Sequence, residues 1–86
     1  MSRYTIEISV SARKMLRKLD VPVRKRVVAA IADLADNPRP DGCKKLQGRS
    51  EYRVRVGDYR VLYDINDSRI RVEVVAVGHR REIYGR

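Results

Sequence analysis

The sequence predicts an α+β domain: a small, mainly antiparallel sheet, in the order β-α-α-β-β-β, packed on a helical hairpin. Three observations predict it. Apolar and polar residues alternate over 3–10, 52–65 and 70–77, the period of half-buried strands. Apolar residues recur by threes and fours between 12 and 34, the period of helices. A chain of 86 residues has room for one sheet and one helical layer around a single core, so 1–86 is expected to be one domain.

The first strand is expected over Arg3 to Val10, with Tyr4, Ile6, Ile8 and Val10 on the side that meets the helices. Ser11 is a suitable N-cap for a short helix whose apolar positions are Ala12, Met15, Leu16 and Leu19, with Arg13, Lys14, Arg17 and Lys18 outside that stripe. Asp20-Val21-Pro22 interrupts it, and Pro22 suits the first turn of a second helix. Its apolar positions are Val23, Val27, Ala30, Ile31 and Leu34, and it is expected to end near Asn37-Pro38. The two helices share one apolar seam to lay against the sheet. Arg39 to Gly48 is expected to be a connection.

Tyr52 to Tyr63 is expected to form a β-hairpin about Gly57-Asp58, a pair able to supply the positive φ of a two-residue turn. A tight turn there sets Val56 against Tyr59, Val54 against Val61, Arg55 against Arg60 and Arg53 against Leu62. After Ile65, a turn at Asn66 to Arg69 leads into a last strand, Ile70 to Val77, with Ile70, Val72, Val74 and Ala76 on the core side. Pairing Ile65 with Ile70 would set Asp64 against Arg71 and Arg60 against Val75. Arg55 and Arg60 would then share the sheet end from which His79, Arg80 and Tyr84 continue.

Hydrophobic residues make up 43% of the chain without any Phe or Trp, so Val, Ile, Leu and five tyrosines must build the core. Lys and Arg number 20 against 11 Asp and Glu, a formal charge of +9 that favours nucleic acid or an acidic protein segment as partner. No apolar run approaches the roughly 20 residues of a spanning helix, and no signal-peptide pattern precedes the first strand, so no membrane partner and a cytoplasmic location are expected. Cys43 is the only cysteine, which excludes an internal disulfide and a cysteine zinc cluster.

Arg53, Arg55 and Arg60 fall on the face opposite the apolar one. Like charges directly opposed across two strands destabilise a sheet by roughly 0.2 to 1 kcal/mol, so the pair Arg55 and Arg60 points to an anionic ligand. Planar guanidinium groups bind phosphate oxygens bidentately, and beside an exposed aromatic they suit an RNA backbone with a stacked base. The competing reading is a solvated basic face. One His, one Cys and no Walker glycine loop leave metal and nucleotide hydrolysis without their usual groups, and no cofactor or metal is expected. RNA cleavage without a metal stays open, because the 2′-hydroxyl is itself the nucleophile and the protein need only align it and stabilise charge. Arginine, with a pKa above about 12, is a poor general base, which leaves His79 and Tyr84 as candidates for proton transfer.

The runs KKLQGRSEYRVRVGDYRVLYDI and VEVVAVGHRREIY resemble the RelE branch of the RelE/ParE toxin superfamily, the toxins of type II toxin-antitoxin systems. The resemblance spans the whole order of elements and is most specific from Lys44 to Tyr84. It implies a sheet on a helical hairpin and a ribosome-dependent endoribonuclease that cuts mRNA in the ribosomal A site by attack of the 2′-hydroxyl on the adjacent phosphate. Arg53 and Arg55 match basic positions of the first hairpin strand, Arg60 the arginine of a G-Y-R-like segment, and Arg80 the arginine after the V-G-x step. Tyr84 matches a near-terminal tyrosine implied to stack on or orient the base beside the scissile phosphate. His79 stands where lysine also occurs. The implied catalytic set is Arg53, Arg55, Arg60, Arg80 and Tyr84, with His79 for proton transfer and Lys44, Lys45, Arg53, Arg55 and Arg81 binding RNA. The implied partners are a RelB-like antitoxin with an acidic amphipathic segment, mRNA, and the 70S ribosome with its 16S rRNA. Arg53 and Arg55 replace lysines of the best-known pattern, so the general base is left open. The sequence ends two residues after Tyr84, so inhibition is expected by covering the basic face rather than by displacing a C-terminal helix. Two alternatives remain: a ParE-like toxin that inhibits DNA gyrase by binding, and a degenerate member that only binds antitoxin and DNA.

Overall fold

A computed structural model describes residues 3–79. The elements are β1 (Thr5–Ile8), α1 (Val10–Arg17), α2 (Val21–Asp33), β2 (Lys44–Lys45), β3 (Tyr52–Val56), β4 (Tyr59–Asn66) and β5 (Arg71–His79). The five strands form one sheet in the order β1-β5-β4-β3-β2. It is mixed, since β1 runs parallel to β5 while the other pairs are antiparallel. The α+β class and the helical hairpin are as expected. The added element is β2, where Lys44 pairs with Arg53 and Lys45 with Tyr52. Two lysines in a row carry no alternation that would mark them as a strand.

The first strand stops earlier than its pattern suggests. Ser9, not Ser11, caps α1: its Oγ accepts from the Ala12 N–H at 3.1 Å. Val10 therefore enters the first helical turn and is 71% exposed instead of joining the core. Because β1 covers β5 only from Arg71 to Val74, the outer edge of β5 beyond that point needs another neighbour. α1 takes the place. The Ser9 N–H donates to Val74 O at 2.9 Å, and the Val77 N–H donates to Met15 Sδ at 3.4 Å. The helix thus runs alongside β5 toward His79, which brings the α1–α2 turn to the same end of the molecule as the β3–β4 tip. α2 begins with Pro22 in its first turn, as expected.

Ala12, Leu16, Val27, Ile31 and Leu34 of the helical seam bury against Val61, Tyr63, Val72, Val74 and Val77 of the sheet, flanked by Tyr52, Val54, Val56, Tyr59 and Ile65. Tyr63 is fully buried and donates its hydroxyl to Pro38 O at 2.8 Å. Burial holds its pKa well above the usual tyrosine value. At the far end of the sheet, Asp67 accepts from the Tyr4 hydroxyl at 2.7 Å and from both Nη atoms of Arg39 at 2.9 and 3.3 Å. These donors, Arg39 first, hold the Asp67 carboxyl below the ordinary range. The network ties the β4–β5 turn to the start of β1 and to the loop after α2.

The β3–β4 register is as expected from the sequence, including Arg55 opposite Arg60. Gly57 has φ 61 and Asp58 has no positive φ, so the turn has the II′ form, with glycine at its first central position. The β4–β5 register differs. Asp64 lies opposite Glu73, not Arg71, and Arg60 lies opposite Gly78, not Val75. Two local features cause the shift. Asn66 stays in the ladder opposite Arg71 because its Oδ1 accepts from the Arg69 N–H at 3.0 Å and from the Ser68 hydroxyl at 2.8 Å, which moves the turn to 67–70. A bulge between Leu62/Tyr63 then leaves Val75 as an extra residue in β5. Val77 consequently faces the main core, whereas Ala76 buries with Leu62 in a second cluster beside Leu46 and Val75.

Ile70, expected in the strand, lies in the turn with φ 52 and is half exposed. A left-handed conformation costs an L-residue roughly 1 to 2 kcal/mol, and a β-branched one has no local hydrogen bond to offset it. Ile70→Asn is expected to stabilise the fold by about 1 kcal/mol, raising Tm by about 4 to 8 °C for a domain of this size. Thermal unfolding followed by circular dichroism measures it; a lower Tm would show that the Ile70 side chain contributes more by packing than its backbone costs.

Candidate nucleic-acid interface

Because α1 and α2 cover one face of the sheet, residues of opposite parity on β2 to β5 line the other. Strand pairing sets them in transverse rows. The row nearest the β3–β4 tip is Arg55, Arg60 and Gly78; the next is Lys44, Arg53, Leu62 and Ala76. Neighbouring strands lie about 4.8 Å apart and same-face residues about 6.6 Å apart along a strand. Four cationic side chains therefore rise from one compact area. Arg55 and Lys44 are exposed, while Arg53 and Arg60 are half-buried. Gly78 places no side chain beside Arg60, which leaves that end of the row low. Leu62 and Ala76, both fully buried, give the cluster an apolar base.

Such a surface can do two things chemically. Guanidinium forks can bracket a phosphodiester, and their fixed charge can stabilise the extra negative charge that develops on phosphorus oxygens during in-line attack. The same face has an opposite pole. Glu7, Glu73 and Asp64 form a transverse row near the β4–β5 turn, four residues along β4 from Arg60. An anionic backbone is accordingly favoured over the tip half of the sheet and disfavoured over the other half. The acidic row was hidden in the sequence because it depends on the turn: a turn at 66–69 pairs Asp64 with Arg71, and its shift to 67–70 brings Glu73 opposite Asp64 instead.

Other candidates fall elsewhere. Lys45 pairs with Tyr52 and so shares the parity of the helix-bearing face. His79 pairs with Tyr59, also on that face, and the two rings meet edge to face at 5.6 Å and 83°. The structure thus gathers Lys44, Arg53, Arg55 and Arg60, and places Lys45 and His79 on the other side of the sheet. Arg80, Arg81 and Tyr84 lie outside the described residues. Among the described residues no three of His, Cys, Asp and Glu gather as a metal site, and no helix is long and apolar enough to cross a membrane.

The family model of the ParE toxin of type II toxin-antitoxin systems, parDE, matches residues 6–84. The chain is 36% identical over 87 residues to toxin RelG of Mycobacterium tuberculosis, covering 96% of this chain and 98% of that toxin. To the mRNA interferase toxin RelE of Escherichia coli it is 29% identical over 86 residues, covering 94% of this chain and 90% of that one. Among solved structures, a chain of the toxin-antitoxin complex RelBE2 from Mycobacterium tuberculosis superposes with a TM-score of 0.82 at 33% identity, covering 95% of this chain and 97% of that chain.

Proposed function

Since the chain belongs to the ParE toxin family of type II toxin-antitoxin systems, in its RelE branch, we propose that it is a cytoplasmic endoribonuclease toxin that cuts mRNA in the ribosomal A site. The observation that carries this reading is the opposed pair Arg55 and Arg60, with Arg53 and Lys44 in the adjoining row, on the sheet face that the helices leave uncovered. Evolution of a stable fold alone would not set two arginines against each other.

In the proposed reaction the 2′-oxygen of one nucleotide attacks the adjacent phosphorus, the bond from phosphorus to the 5′-oxygen of the next nucleotide breaks, and that oxygen takes a proton. The upstream fragment then ends in a 2′,3′-cyclic phosphate. Arg55 and Arg60 hold the phosphate and stabilise the transition state, while Arg53 and Lys44 bind the flanking backbone. Arg80 adds a further cation, and Tyr84 stacks on the base beside the scissile bond. His79, on the other face beside Tyr59, is a weaker candidate for the proton than Tyr84. With cations that bind well but, among the described residues, no group at this face matched to neutral-pH proton transfer, the toxin relies on the ribosome and its 16S rRNA to align the 2′-hydroxyl in line. A RelB-like antitoxin, presenting an acidic amphipathic segment, silences it by covering the basic face.

A single 2′-deoxy substitution at the cut position of a ribosome-bound mRNA tests the chemistry. Cleavage at that position should stop, and the unmodified message should yield a cyclic phosphate end. Cleavage that ignores the deoxy substitution would refute attack by the 2′-hydroxyl. The matching family description carries the ParE name, so inhibition of DNA gyrase by binding is the second reading; it is favoured if ribosome-bound mRNA stays intact while gyrase supercoiling stops.

A further inference from the structure

Charge in this molecule is divided along the strand axis. Among the described residues the ion pairs Arg3–Asp36, Arg39–Asp67, Arg49–Glu51 and Arg71–Glu7 lie toward the β4–β5 turn. Among the described residues the opposite end, formed by the β3–β4 tip and the α1–α2 turn, carries Arg17, Lys18, Arg24, Lys25, Arg26 and Arg55 beside Asp20 and Asp58. Arg24 caps its own hairpin by donating from Nη2 to Leu19 O at 3.2 Å. Arg17, Lys18, Lys25 and Arg26 are exposed, and among the described residues none of the four is in an ion pair.

Local folding accounts for only part of this group. Arg17 in the last turn of α1 complements the negative end of that helix. Lys25 and Arg26 follow the first turn of α2, beyond the reach of its N-terminal dipole, so the helix end gives no reason for them. Crowding four cations about one turn also repels. Their position matters as much as their number. They project from the helical layer, on the opposite side of the sheet from Arg53, Arg55 and Arg60, across a body 25 Å in its narrowest extent. A single RNA strand lying on the arginine face would have to turn around the edge of the protein to reach them. Folded RNA whose backbone approaches from both sides can contact both groups together.

We infer that Arg17, Lys18, Lys25 and Arg26 form a second RNA contact, separate from the cleavage face, which takes phosphates of structured RNA by charge and shape rather than by sequence. This rests on the reading of the chain as a ribosome-acting toxin and gives that reading a physical basis: the cleavage face holds the message while the helical turn grips folded RNA of the ribosome. The toxin enters its site cationic end first.

The test is the full-length variant Arg17→Gln/Lys18→Gln/Lys25→Gln/Arg26→Gln, which keeps helix-forming residues. Binding to purified ribosomes is measured from about 50 to 200 mM salt, beside antitoxin affinity, Tm and cleavage on programmed ribosomes. Ribosome binding should weaken by about tenfold or more, with a shallower dependence of log affinity on log salt, as expected when phosphate contacts are lost. Cleavage at saturating ribosome concentration, antitoxin affinity and Tm should hold. The two pair variants, Arg17→Gln/Lys18→Gln and Lys25→Gln/Arg26→Gln, should each give an intermediate loss and keep the inference testable if the fourfold variant folds poorly. Unchanged ribosome affinity and salt slope would overturn it. So would lost antitoxin affinity with ribosome binding intact, which would assign this surface to a protein. Wild-type protein that binds no ribosomes would overturn it together with the functional reading, whereas wild-type cleavage matched by the variant at limiting ribosomes would overturn this inference alone.

Discussion

Arg60→Ala is expected to lower cleavage about 100- to 1,000-fold while leaving the fold intact. Arg60 lies opposite Arg55 and beside Gly78, at the point of the arginine face where three strands meet near the tip. Removing one donor aimed at the developing charge of a transition state typically costs that much in rate. The loss also relieves a like-charge pair worth about 0.2 to 1 kcal/mol. Tm should hold or rise slightly. Arg60→Lys should recover only part of the activity, since a single ammonium keeps the charge and loses the two-pronged fit to phosphate. Rates at saturating ribosomes and thermal melts of both variants decide the matter. A large fall in Tm for Arg60→Ala would make Arg60 a structural residue.

Tyr84→Ala should also lose most activity, by about 5- to 150-fold, the range that corresponds to the 1 to 3 kcal/mol typical of base stacking on an aromatic. Without that contact the 2′-hydroxyl is no longer held in line with the phosphorus. Tyr84→Phe keeps the ring and should stay within about tenfold of the wild type, roughly 1.4 kcal/mol. Neither change should alter Tm much. Two outcomes would revise the role. If Phe is as inactive as Ala, the hydroxyl moves the proton; if Ala lowers Tm sharply, the ring ties the chain end to the core.

The hairpin was legible in the sequence because two signals agree there: alternation on both sides and a glycine where the turn needs positive φ. The same held for the helical seam, where Ala12, Leu16, Val27 and Ile31 keep one period through two helices. The last strand was harder. In VEVVAV the apolar residues run nearly together, so parity is not visible, and one bulged residue moves Ala76 off the main core and Val77 onto it. That residue also decides that His79 sits beside Tyr59, whereas the turn at 67–70 decides that Glu7, Glu73 and Asp64 share a row. Val10 shows a different limit. Its place in the alternation was right for a strand, but a cap formed by Ser9 ended the strand first. The placement of Arg55 and Arg60 survived these errors because it depends on the turn at Gly57 and not on β5.

The central claim is that the arginine face cuts mRNA only where the ribosome presents it. A translation reaction with a defined mRNA, read by primer extension with and without ribosomes, tests this most directly. Wild-type toxin should give new 5′ ends of the downstream fragment at A-site codons when ribosomes are present and none when they are absent, with Arg60→Ala giving few or none in either case. Equal cleavage of free mRNA, or the same cuts from Arg60→Ala, would contradict the account.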